Sequence, residues 1–320
     1  MNAAVVHSFG QPPHFESIPD PVPNDDEVLV HVTAAALNPS TRLLASGQHY
    51  ASPQQLPFVC GVEGVGRLDG GSRVFFGVRR APNGSMCDRT VTPRLFCWPV
   101  PDGIDDIVAA ALPNPGLSSW LPLITVARLA PGETVLILGA TGTAGQLAIQ
   151  IAKHLGAARV VAAGRNEEIL KGMPKLGADA VIRMNVADGD LAEAFAREGN
   201  GGGFNVVLDY LWGRPTEVFL TAMTQKGFPS ARSGTRLVQI GESAGPVISL
   251  PAAALRSAGL TIVGSGVMPA LNVLSEAFQQ LMNLAARGQL HIDVEPVPLA
   301  DIERAWSRSG LHGRRLVMIP

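Results

Sequence analysis

Apolar residues recur along this chain in two different rhythms, one in each half. Over roughly the first 112 residues they form short runs, at 3–6, 27–37, 62–68, 73–78 and 89–92. Prolines and glycines separate these runs closely, and no long helical pattern lies between them. Short strands at such close spacing predict a small β-rich or barrel-like domain.

From Pro113 the pattern changes, and strand-like runs alternate with helical ones. The strand-like runs are 135–139, 159–164, 180–184, 204–210, 236–241 and 259–266, and the helical runs are 146–155, 167–171, 191–197, 215–225 and 271–286. Near-continuous apolar strands separated by helices are typical of a parallel sheet that is covered on both faces. This half therefore predicts an α/β fold with a doubly wound sheet.

The end of the chain returns to the pattern of the first half. The run RRLVMIP at 314–320 resembles the strands near the N-terminus more than the strands that precede it. We therefore expect one β-rich domain made of residues 1–113 and 287–320, with the doubly wound α/β domain of residues 114–286 between its two pieces. A chain of 320 residues also exceeds the size at which one hydrophobic core usually stops growing, which favours two domains.

Composition narrows the range of partners. The chain is 46% hydrophobic and 16% charged, its formal net charge is -2, and its arginines are scattered rather than gathered in a stripe. We therefore expect no nucleic-acid partner and no membrane partner. The N-terminus lacks the basic segment and apolar core of a signal peptide, so a cytoplasmic location is expected. The three cysteines, Cys60, Cys87 and Cys97, form neither a disulfide framework nor a CxxC pair.

A glycine-rich loop, GATGTAG at 139–145, follows a strand-like run and precedes a helical pattern with one apolar face. This order is that of the first βα unit of a dinucleotide-binding (Rossmann) fold. Small residues let the backbone approach a pyrophosphate, Gly145 lets the helix pack on the strand, and the helix N-terminus offers unpaired N–H groups. The expected cofactor contacts in the loop are Ala140, Thr141, Gly142, Thr143 and Ala144. Taken alone, this A-x-G-x-x-G pattern also fits a bare tight turn.

The end of the second Rossmann strand favours NADPH over NADH. It reads Gly164-Arg165-Asn166, about 20 residues past the loop, where an NAD site would place an acidic residue on the ribose 2′-hydroxyl. The missing acid removes repulsion from a 2′-phosphate, and the Arg165 guanidinium offers it a two-pronged hydrogen bond. If that bond contributes roughly 1.5 to 3 kcal/mol, NADPH should be preferred by about one to two orders of magnitude. We count all three residues as cofactor contacts.

Several further segments occur in a fixed order. They are Asn38-Pro39 followed by Gly47 and Tyr50, GVEGVG at 61–66, Leu112-Pro113, GLSSW at 116–120, PGETVLI at 131–137 and GRRLV at 313–317. Over nearly the whole chain this series resembles the zinc-independent NADPH:quinone oxidoreductase branch of the medium-chain dehydrogenase/reductase superfamily. The resemblance implies a GroES-like β-rich barrel domain closed by the C-terminal strand, a Rossmann domain, and a cofactor bound between the two.

The resemblance also implies a site without metal. Relatives that oxidise alcohols hold zinc with a cysteine in the first domain and a histidine inside Gly-His-Glu. The matching segment here is Gly61-Val62-Glu63, and Asn38 stands in place of the cysteine. Valine cannot ligate a metal, and without a Lewis acid the site is poorly suited to alcohol oxidation. The expected reaction is therefore hydride transfer from NADPH to a quinone or an α,β-unsaturated carbonyl.

By the same resemblance, Asn38 and Tyr50 are the expected catalytic residues, with Tyr50 as the candidate proton donor to the substrate. The remaining expected cofactor contacts are Asn38, Tyr210, Gly241, Gly264, Ser265 and Arg314. The family also implies a homodimer, formed through the edge strand around 260–264.

Other functions compete with this interpretation. A short-chain dehydrogenase needs Tyr-x-x-x-Lys, but Tyr50 and Tyr210 are followed four residues later by Gln54 and Arg214, so that class is excluded. Two alternatives stay open. One is a sensor-type protein that binds NADPH without turnover, because a Rossmann domain by itself does not establish catalysis. The other is a zinc alcohol dehydrogenase.

Overall fold

The computed structural model describes residues 1–78, 80–200, 202–231, 234–266 and 269–320. By compactness the chain divides into unit 1, which comprises Met1–Asn114 and Phe278–Pro320, and unit 2, which comprises Pro115–Ala277. The division differs from the expected boundary at 286/287. The reason lies in Phe278, whose ring lies 5.1 Å from the rings of both Phe75 and Trp98, so that this residue already belongs to unit 1.

The first part of the chain consists mainly of short strands. In order they are β1 (Asn2–Val6), β2 (His14–Ser17), β3 (Glu27–Ala36), β4 (Phe58–Val59), β5 (Glu63–Leu68), β6 (Arg73–Gly77), β7 (Arg89–Pro93) and β8 (Cys97–Pro99). Three helices accompany them: α1 (Pro39–Ala45), α2 (Asp106–Ala111) and α3 (Pro113–Leu121), the last followed by a π-helical turn, Pro122–Val126. The expected strand-rich character of this part is thus present.

Strands and helices then alternate. The strands are β9 (Thr134–Leu138), β10 (Arg159–Gly164), β11 (Ala180–Arg183), β12 (Val206–Asp209), β13 (Thr235–Gln239) and β14 (Leu260–Gly264). The helices are α4 (Thr143–His154), α5 (Glu167–Leu170), α6 (Asp188–Gly199), α7 (Gly213–Ala222), α8 (Ala252–Ser257) and α9 (Leu271–Ala286). The chain ends with β15 (Val294–Pro298), α10 (Ile302–Trp306) and β16 (Arg315–Ile319), and short 3₁₀ turns occur at Arg94–Phe96, Met173–Leu176 and Leu299–Asp301.

Unit 2 is built on a parallel sheet. Among the residues described, six strands pair in the order β11-β10-β9-β12-β13-β14. In order of appearance this is 3-2-1-4-5-6, the doubly wound arrangement of dinucleotide-binding domains. The central strands are fully buried because helices cover both faces, which explains their continuous apolar sequences. The expected fold class is confirmed.

The strand order also predicts where a ligand binds. In open parallel sheets the binding crevice lies beyond the carboxyl ends of the strands, where the strand order reverses. Here the reversal falls between β9 and β12, which are paired in parallel from Val206↔Val135 to Asp209↔Leu138. The loops that follow these two strands are therefore the first place to examine.

Unit 1 contains the C-terminal strand. In the described part of this unit, β2, β1 and β4 form one sheet, and a second sheet runs β15-β16-β3-β5-β6-β8 with β7 also on β3. The final strand β16 pairs with β3 at Val317↔Ala36 and Met318↔Ala35. Its side chains at Leu316, Val317 and Met318 are fully buried, so the last residues of the chain form part of the core built by the first hundred. No helix in the residues described is both long and apolar enough to cross a bilayer.

Candidate active site

The glycine loop after β9 is held by a close approach of helix to strand. A Cβ atom built at Gly145, in the first turn of α4, would overlap the carbonyl oxygen of Gly139 and lie 2.5 Å from the Ala140 Cα. Gly139 itself has a φ of +95°, a left-handed conformation that favours glycine. Both residues are therefore required for the tight strand-to-helix turn, as expected for Gly145.

Gly142 plays a different part in the same loop. It is the N-cap residue of α4, it supplies no side-chain cap, and it is exposed. A Cβ atom there would meet only the Gly139 oxygen, at the ordinary distance of 3.5 Å, so packing within the chain does not demand glycine. The first N–H groups of a helix have no intrahelical partner and carry its positive dipole end. An open, uncapped helix start of this kind fits the pyrophosphate of a dinucleotide.

The end of β10 is packed directly against this loop. The N–H groups of Gly139 and Ala140 both donate to the Ala163 carbonyl, at 3.0 and 2.9 Å. A Cβ atom at Gly164 would overlap the methyl group of Thr141. The first two βα turns therefore lie side by side, and the residue that follows Gly164 projects beside the loop.

Arg165 and Asn166 take up this position in different ways. The Asn166 side chain caps α5 by accepting from the Ile169 N–H at 3.1 Å, so its oxygen is engaged in structure. Arg165 is exposed, and within the described ranges its guanidinium forms no ion pair. Neighbouring cations are engaged, since Arg183 pairs with Glu167 at 3.1 Å. Arg165 is thus placed to receive an anionic group.

Tyr210 follows β12 and is held from several sides. Its hydroxyl lies 2.8 Å from the Ser119 Oγ and donates to the Ser118 carbonyl at 3.3 Å. Burial raises the pKa of Tyr210 to about 12, so the phenol is neutral at physiological pH. Its Cβ would lie 3.3 Å from a Cβ built at Gly139, and a Cβ at Gly241 would lie 2.8 Å from its carbonyl oxygen. Tyr210 therefore links the turns after β9, β12 and β13.

Asp209, just before Tyr210, shapes the same turn. Its buried carboxylate accepts from the N–H groups of Leu211 and Trp212, both at 2.9 Å, and from the Thr216 hydroxyl at 2.6 Å. Desolvation raises the pKa of Asp209, and these three hydrogen bonds oppose that rise. They hold the chain through the left-handed conformations at Trp212 (φ +55°) and Gly213 (φ +61°). The carboxylate has a structural role in this arrangement.

Gly264 and Ser265 end the outer strand β14. A Cβ atom at Gly264 would meet nothing within 4 Å, so here, unlike at Gly241, no close approach within the chain requires glycine. The Ser265 N–H donates to the Gln239 carbonyl at 3.0 Å and prolongs the pairing with β13. Within unit 2 the structure therefore brings the glycine loop, the end of β10, Tyr210 and Gly241 into mutual contact, with Gly264 and Ser265 at the same edge of the sheet.

In unit 1, Asn38 lies in a buried polar cluster. It precedes α1, has no exposed surface, and donates from Nδ2 to the Glu63 Oε1 at 2.9 Å. Its Oδ1 has no hydrogen-bond partner among the residues described. Because the carboxylate holds the Nδ2 side of the amide, the unpaired atom is the acceptor. Asn38 is therefore set to accept a hydrogen bond.

Arg315 supplies the positive charge of this cluster. It is buried at the start of β16, and its guanidinium donates to the Leu37 carbonyl at 3.2 Å. Burial lowers the pKa of Arg315 to about 10, while the Glu63 carboxylate acts in the opposite direction. Arg315 is still charged at neutral pH, so it compensates the carboxylate that orients Asn38.

Tyr50 and Arg314 lie outside such networks. Tyr50 is 96% exposed, and its ring is tilted by 32° to that of His49, with 4.1 Å between the two centroids. Arg314 forms ion pairs with Asp293 at 3.1 Å and Glu295 at 3.5 Å. The catalytic role of Tyr50 and the cofactor contact of Arg314 stay predictions.

The surroundings of all three cysteines favour the neutral thiol over the thiolate. Burial raises the pKa of Cys60 and of Cys87 to about 12, and that of Cys97 to about 11. Across the described ranges, no three His, Cys, Asp or Glu side chains are grouped so that they could hold a metal ion. Zinc independence rests on Val62 and Asn38 in the sequence and stays a prediction.

Comparison with known proteins places the chain in a family. A family model described as "Zinc-binding dehydrogenase" matches residues 144–287. Quinone oxidoreductase-like protein 2 of Bos taurus is 31% identical over 273 residues, which cover 82% of this chain and 74% of the relative. The chain belongs to the quinone oxidoreductase branch of the medium-chain dehydrogenase/reductase superfamily.

Other members of this quinone oxidoreductase branch match over their full lengths. A "probable NADPH-dependent quinone reductase" of Emericella nidulans is 26% identical, and the match covers 100% of each chain. The solved quinone oxidoreductase of Thermus thermophilus, also determined in complex with NADPH, is 28% identical with a TM-score of 0.81, again over 100% of each chain. The resemblance expected from the sequence motifs is confirmed.

The sequence did not single out every residue that builds this oxidoreductase site. Nothing in the GVEGVG segment marks Glu63 as the partner of Asn38, and the family resemblance points to Arg314 rather than to its neighbour Arg315. A charged residue inside an apolar strand was the available signal for Arg315, because such a charge must find a partner when buried. For Asp209 the signal was its position at the carboxyl end of an apolar strand beside the order reversal. Nothing local marked Ser119 as the partner of Tyr210.

Proposed function

We propose that this protein is an NADPH-dependent reductase that transfers a hydride to a quinone or an α,β-unsaturated carbonyl and needs no zinc. The observation that carries this function is Arg165, which is exposed and forms no ion pair with any described residue, beside an open glycine loop in a member of the quinone oxidoreductase branch. Bound NADPH supplies the hydride. The protein binds the cofactor and the acceptor, orients them towards each other, and discriminates between NADPH and NADH.

The adenosine end is assigned to unit 2. We propose that the N-terminus of α4 and the backbone of 140–144 bind the pyrophosphate, because Gly142 leaves that helix start open. Arg165 would take the 2′-phosphate in a charge-assisted, two-pronged bond. Tyr210 and Gly241 act by shaping the turn against which the loop packs, since the Tyr210 hydroxyl is already bonded to Ser119.

The nicotinamide and the acceptor are assigned to Asn38 and Tyr50 of unit 1. An enone has an electrophilic β-carbon and a quinone an electron-poor ring, so neither needs a metal to accept hydride. The Asn38 Oδ1, held as a free acceptor by Glu63, fits the N–H₂ of a carboxamide such as that of nicotinamide. Tyr50 is the candidate that returns a proton to the reduced oxygen. Gly264, Ser265 and Arg314 remain proposed contacts without a further argument.

The test is a cofactor-consumption screen. Purified protein is supplied with NADPH or NADH and with 1,4-benzoquinone, 9,10-phenanthrenequinone, simple enones and enals, and loss of the reduced cofactor is followed by absorbance. We expect turnover with at least one acceptor and a preference for NADPH. Tight NADPH binding without turnover on any acceptor would support the sensor-type protein instead. Stoichiometric zinc in the purified protein would contradict the metal-free site.

We also propose that the protein is a homodimer that associates through β14. In the described sheet this strand is the outermost on its side, and the side chains of Thr261 and Val263 are exposed along it. An unpaired strand edge readily pairs with a second copy. Light scattering on the eluting protein is expected to give twice the chain mass, and Val263→Lys is expected to lower it to one chain. A monomeric parent protein would contradict the proposal.

A further inference from the structure

We propose that Arg183 is a specificity-determining residue for NADPH that acts through Glu167. In this view the Glu167–Arg183 ion pair neutralises an acidic residue that would otherwise repel the 2′-phosphate or capture Arg165. The inference rests on the proposed role of Arg165.

The placement follows from the register of two neighbouring strands. In the pairing of β10 with β11, Gly164 lies opposite Arg183. Arg183 is therefore beside the strand end from which Arg165 projects. Glu167 is the first residue of α5, two residues beyond Arg165, and its Oε2 lies 3.1 Å from the Arg183 Nη1. Arg165, Glu167 and Arg183 therefore all lie near the carboxyl ends of two adjacent strands, β10 and β11.

The role of the Glu167–Arg183 pair follows from the charges around the first turn of α5. The first turn of α5 carries two carboxylates, Glu167 and Glu168. Each has a cation, since Glu168 pairs with Lys171 at 2.7 Å and Glu167 pairs with Arg183. With both acids compensated, Arg165 is left as the excess positive charge at this strand end.

Loss of Arg183 would cancel that excess positive charge. The freed Glu167 carboxylate would either attract the Arg165 guanidinium or face the 2′-phosphate, which carries about two negative charges. Both events weaken NADPH binding. NADH has a ribose hydroxyl at the same point, and a carboxylate near the end of this strand is the group that accepts a hydrogen bond from it. Loss of Arg183 should therefore shift preference from NADPH towards NADH.

The same pair matters little for folding, which makes the proposal testable. Both side chains are about half exposed, at 52% for Arg183 and 55% for Glu167. Exposed ion pairs contribute about 0 to 1 kcal/mol to stability. Variants at either residue are therefore expected to fold, and a change in their ligand affinity can be read as a binding effect.

The experiment measures binding of two probes that differ only in the 2′-phosphate, 2′,5′-ADP and 5′-AMP, by titration calorimetry on the full chain. We expect Arg183→Gln to weaken 2′,5′-ADP about tenfold, which corresponds to about 1.4 kcal/mol, and to leave 5′-AMP unchanged. Glu167→Gln should keep or increase affinity for 2′,5′-ADP. The double variant should return to within about twofold of Glu167→Gln, because the harmful charge is then gone.

Arg197→Gln is a matched control, since it also removes an exposed arginine that is paired with a glutamate. It lies near the opposite ends of the strands, because its neighbour Glu198 pairs with Arg159 at the start of β10. We expect no change in either probe.

Two results would overturn the proposal. If the double variant stays as weak as Arg183→Gln, Arg183 contacts the phosphate directly and Glu167 is irrelevant. If Arg183→Gln binds 2′,5′-ADP like the parent protein, the pair has no role in discrimination. Failure of the proposed role of Arg165 gives a different result. A parent protein that binds 2′,5′-ADP and 5′-AMP equally would remove Arg165 from the 2′-phosphate site, whatever the effect of Arg183→Gln.

Discussion

At the residue scale, Arg165 differs from two paired arginines of unit 2, Arg183 and Arg214. Arg183 and Arg214, which lie on other elements of unit 2, are tied to Glu167 and Asp188, whereas Arg165 forms no ion pair in the described ranges. A cation held by its own carboxylate must break that pair before it binds a phosphate. Arg165 has no such cost.

Substitution of Arg165 should therefore act on one cofactor only. We expect Arg165→Ala to raise the KM for NADPH by about ten- to a hundredfold, the loss of roughly 1.5 to 3 kcal/mol of charged hydrogen bonding. The KM for NADH should change little, since NADH presents no 2′-phosphate. Steady-state kinetics with each cofactor decides the matter. An equal loss with both cofactors would remove Arg165 from this role, and Arg165→Lys should retain part of the discrimination.

Tyr210 gives a prediction that depends on pH. Its folded pKa of about 12 lies above the ordinary value of 10, so the neutral phenol is favoured in the folded state. The stabilisation is complete below pH 10 and is lost as the pH rises through 12. In the Tyr50→Phe variant Tyr210 is the one remaining tyrosine. Phenolate absorbance of that variant should therefore rise near pH 12, and a midpoint near 10 in folded protein would contradict the buried Ser119 bond.

At this scale, local sequence rules account for the glycine loop but not for the polar cluster around Asn38. The glycines and Arg165 follow from local rules, because strand, turn and helix fix their positions within a few residues. Asn38 obtains its orientation from Glu63, and Arg315 balances the charge of Glu63; these two residues lie 25 and 277 positions from Asn38 in the sequence. No local pattern encodes such pairings. Tyr50 was selected by resemblance, and its exposed ring leaves that selection untested.

At the scale of elements, two glycines of the same loop have different roles. Gly145 is needed for folding, whereas Gly142 is proposed to serve binding. Gly145→Ala places a methyl group against Ala140 and the Gly139 carbonyl, so α4 must move away from β9. Overpacking of this kind costs about 1 to 3 kcal/mol, and we expect a lower Tm. Gly142→Ala meets no such obstacle and only replaces glycine by a poorer N-cap residue, so it should lower the Tm much less while it weakens NADPH binding.

Thermal melts with and without NADPH compare these two variants directly. A normal Tm for Gly145→Ala would show that the helix does not need its close approach to the strand. Unchanged NADPH affinity in Gly142→Ala would show that the pyrophosphate does not pass over this residue.

Long periodic elements were the ones that the sequence predicted well. The helical run 271–286 has the same bounds as α9, and 146–155 differs from α4 (Thr143–His154) by three residues at its start and one at its end. Short elements were missed, among them α1, α8 and the two-residue strand β4. Segments of two to seven residues have too few positions to display a period, and contacts with distant segments stabilise them.

At the scale of the whole molecule, the last strand should be indispensable. Deletion of 315–320 removes β16, whose Leu316, Val317 and Met318 are fully buried and which pairs with β3. Burial of each such side chain contributes about 1.5 to 3 kcal/mol, except where packing relaxes, so the loss rivals the stability of a typical domain. We expect insoluble or unfolded protein, judged by solubility and circular dichroism. Deletion of Pro320 alone is the control, and a soluble truncated protein with an unchanged Tm would contradict the role of β16.

The discontinuous arrangement could be anticipated because the final run differs in pattern from the strands before it. Its exact limit could not. Phe278 is the eighth residue of a helix whose apolar pattern continues without a break, and only the rings of Phe75 and Trp98 against it assign the second half of α9 to unit 1. A domain boundary inside a regular helix does not change the apolar periodicity of that helix, so the sequence pattern cannot reveal it.

Cys60 and Cys87 are buried and Cys97 is partly buried, which bears on the exposure of this protein to quinones. Such compounds alkylate sulfur as readily as they accept hydride, and it is the thiolate that attacks them. With pKa values of about 11 to 12 for Cys60, Cys87 and Cys97, roughly one thiol in ten thousand or fewer is ionised at neutral pH. We therefore expect the protein to resist covalent modification by electrophilic acceptors, and a thiol titration before and after many turnovers should give the same free-thiol count.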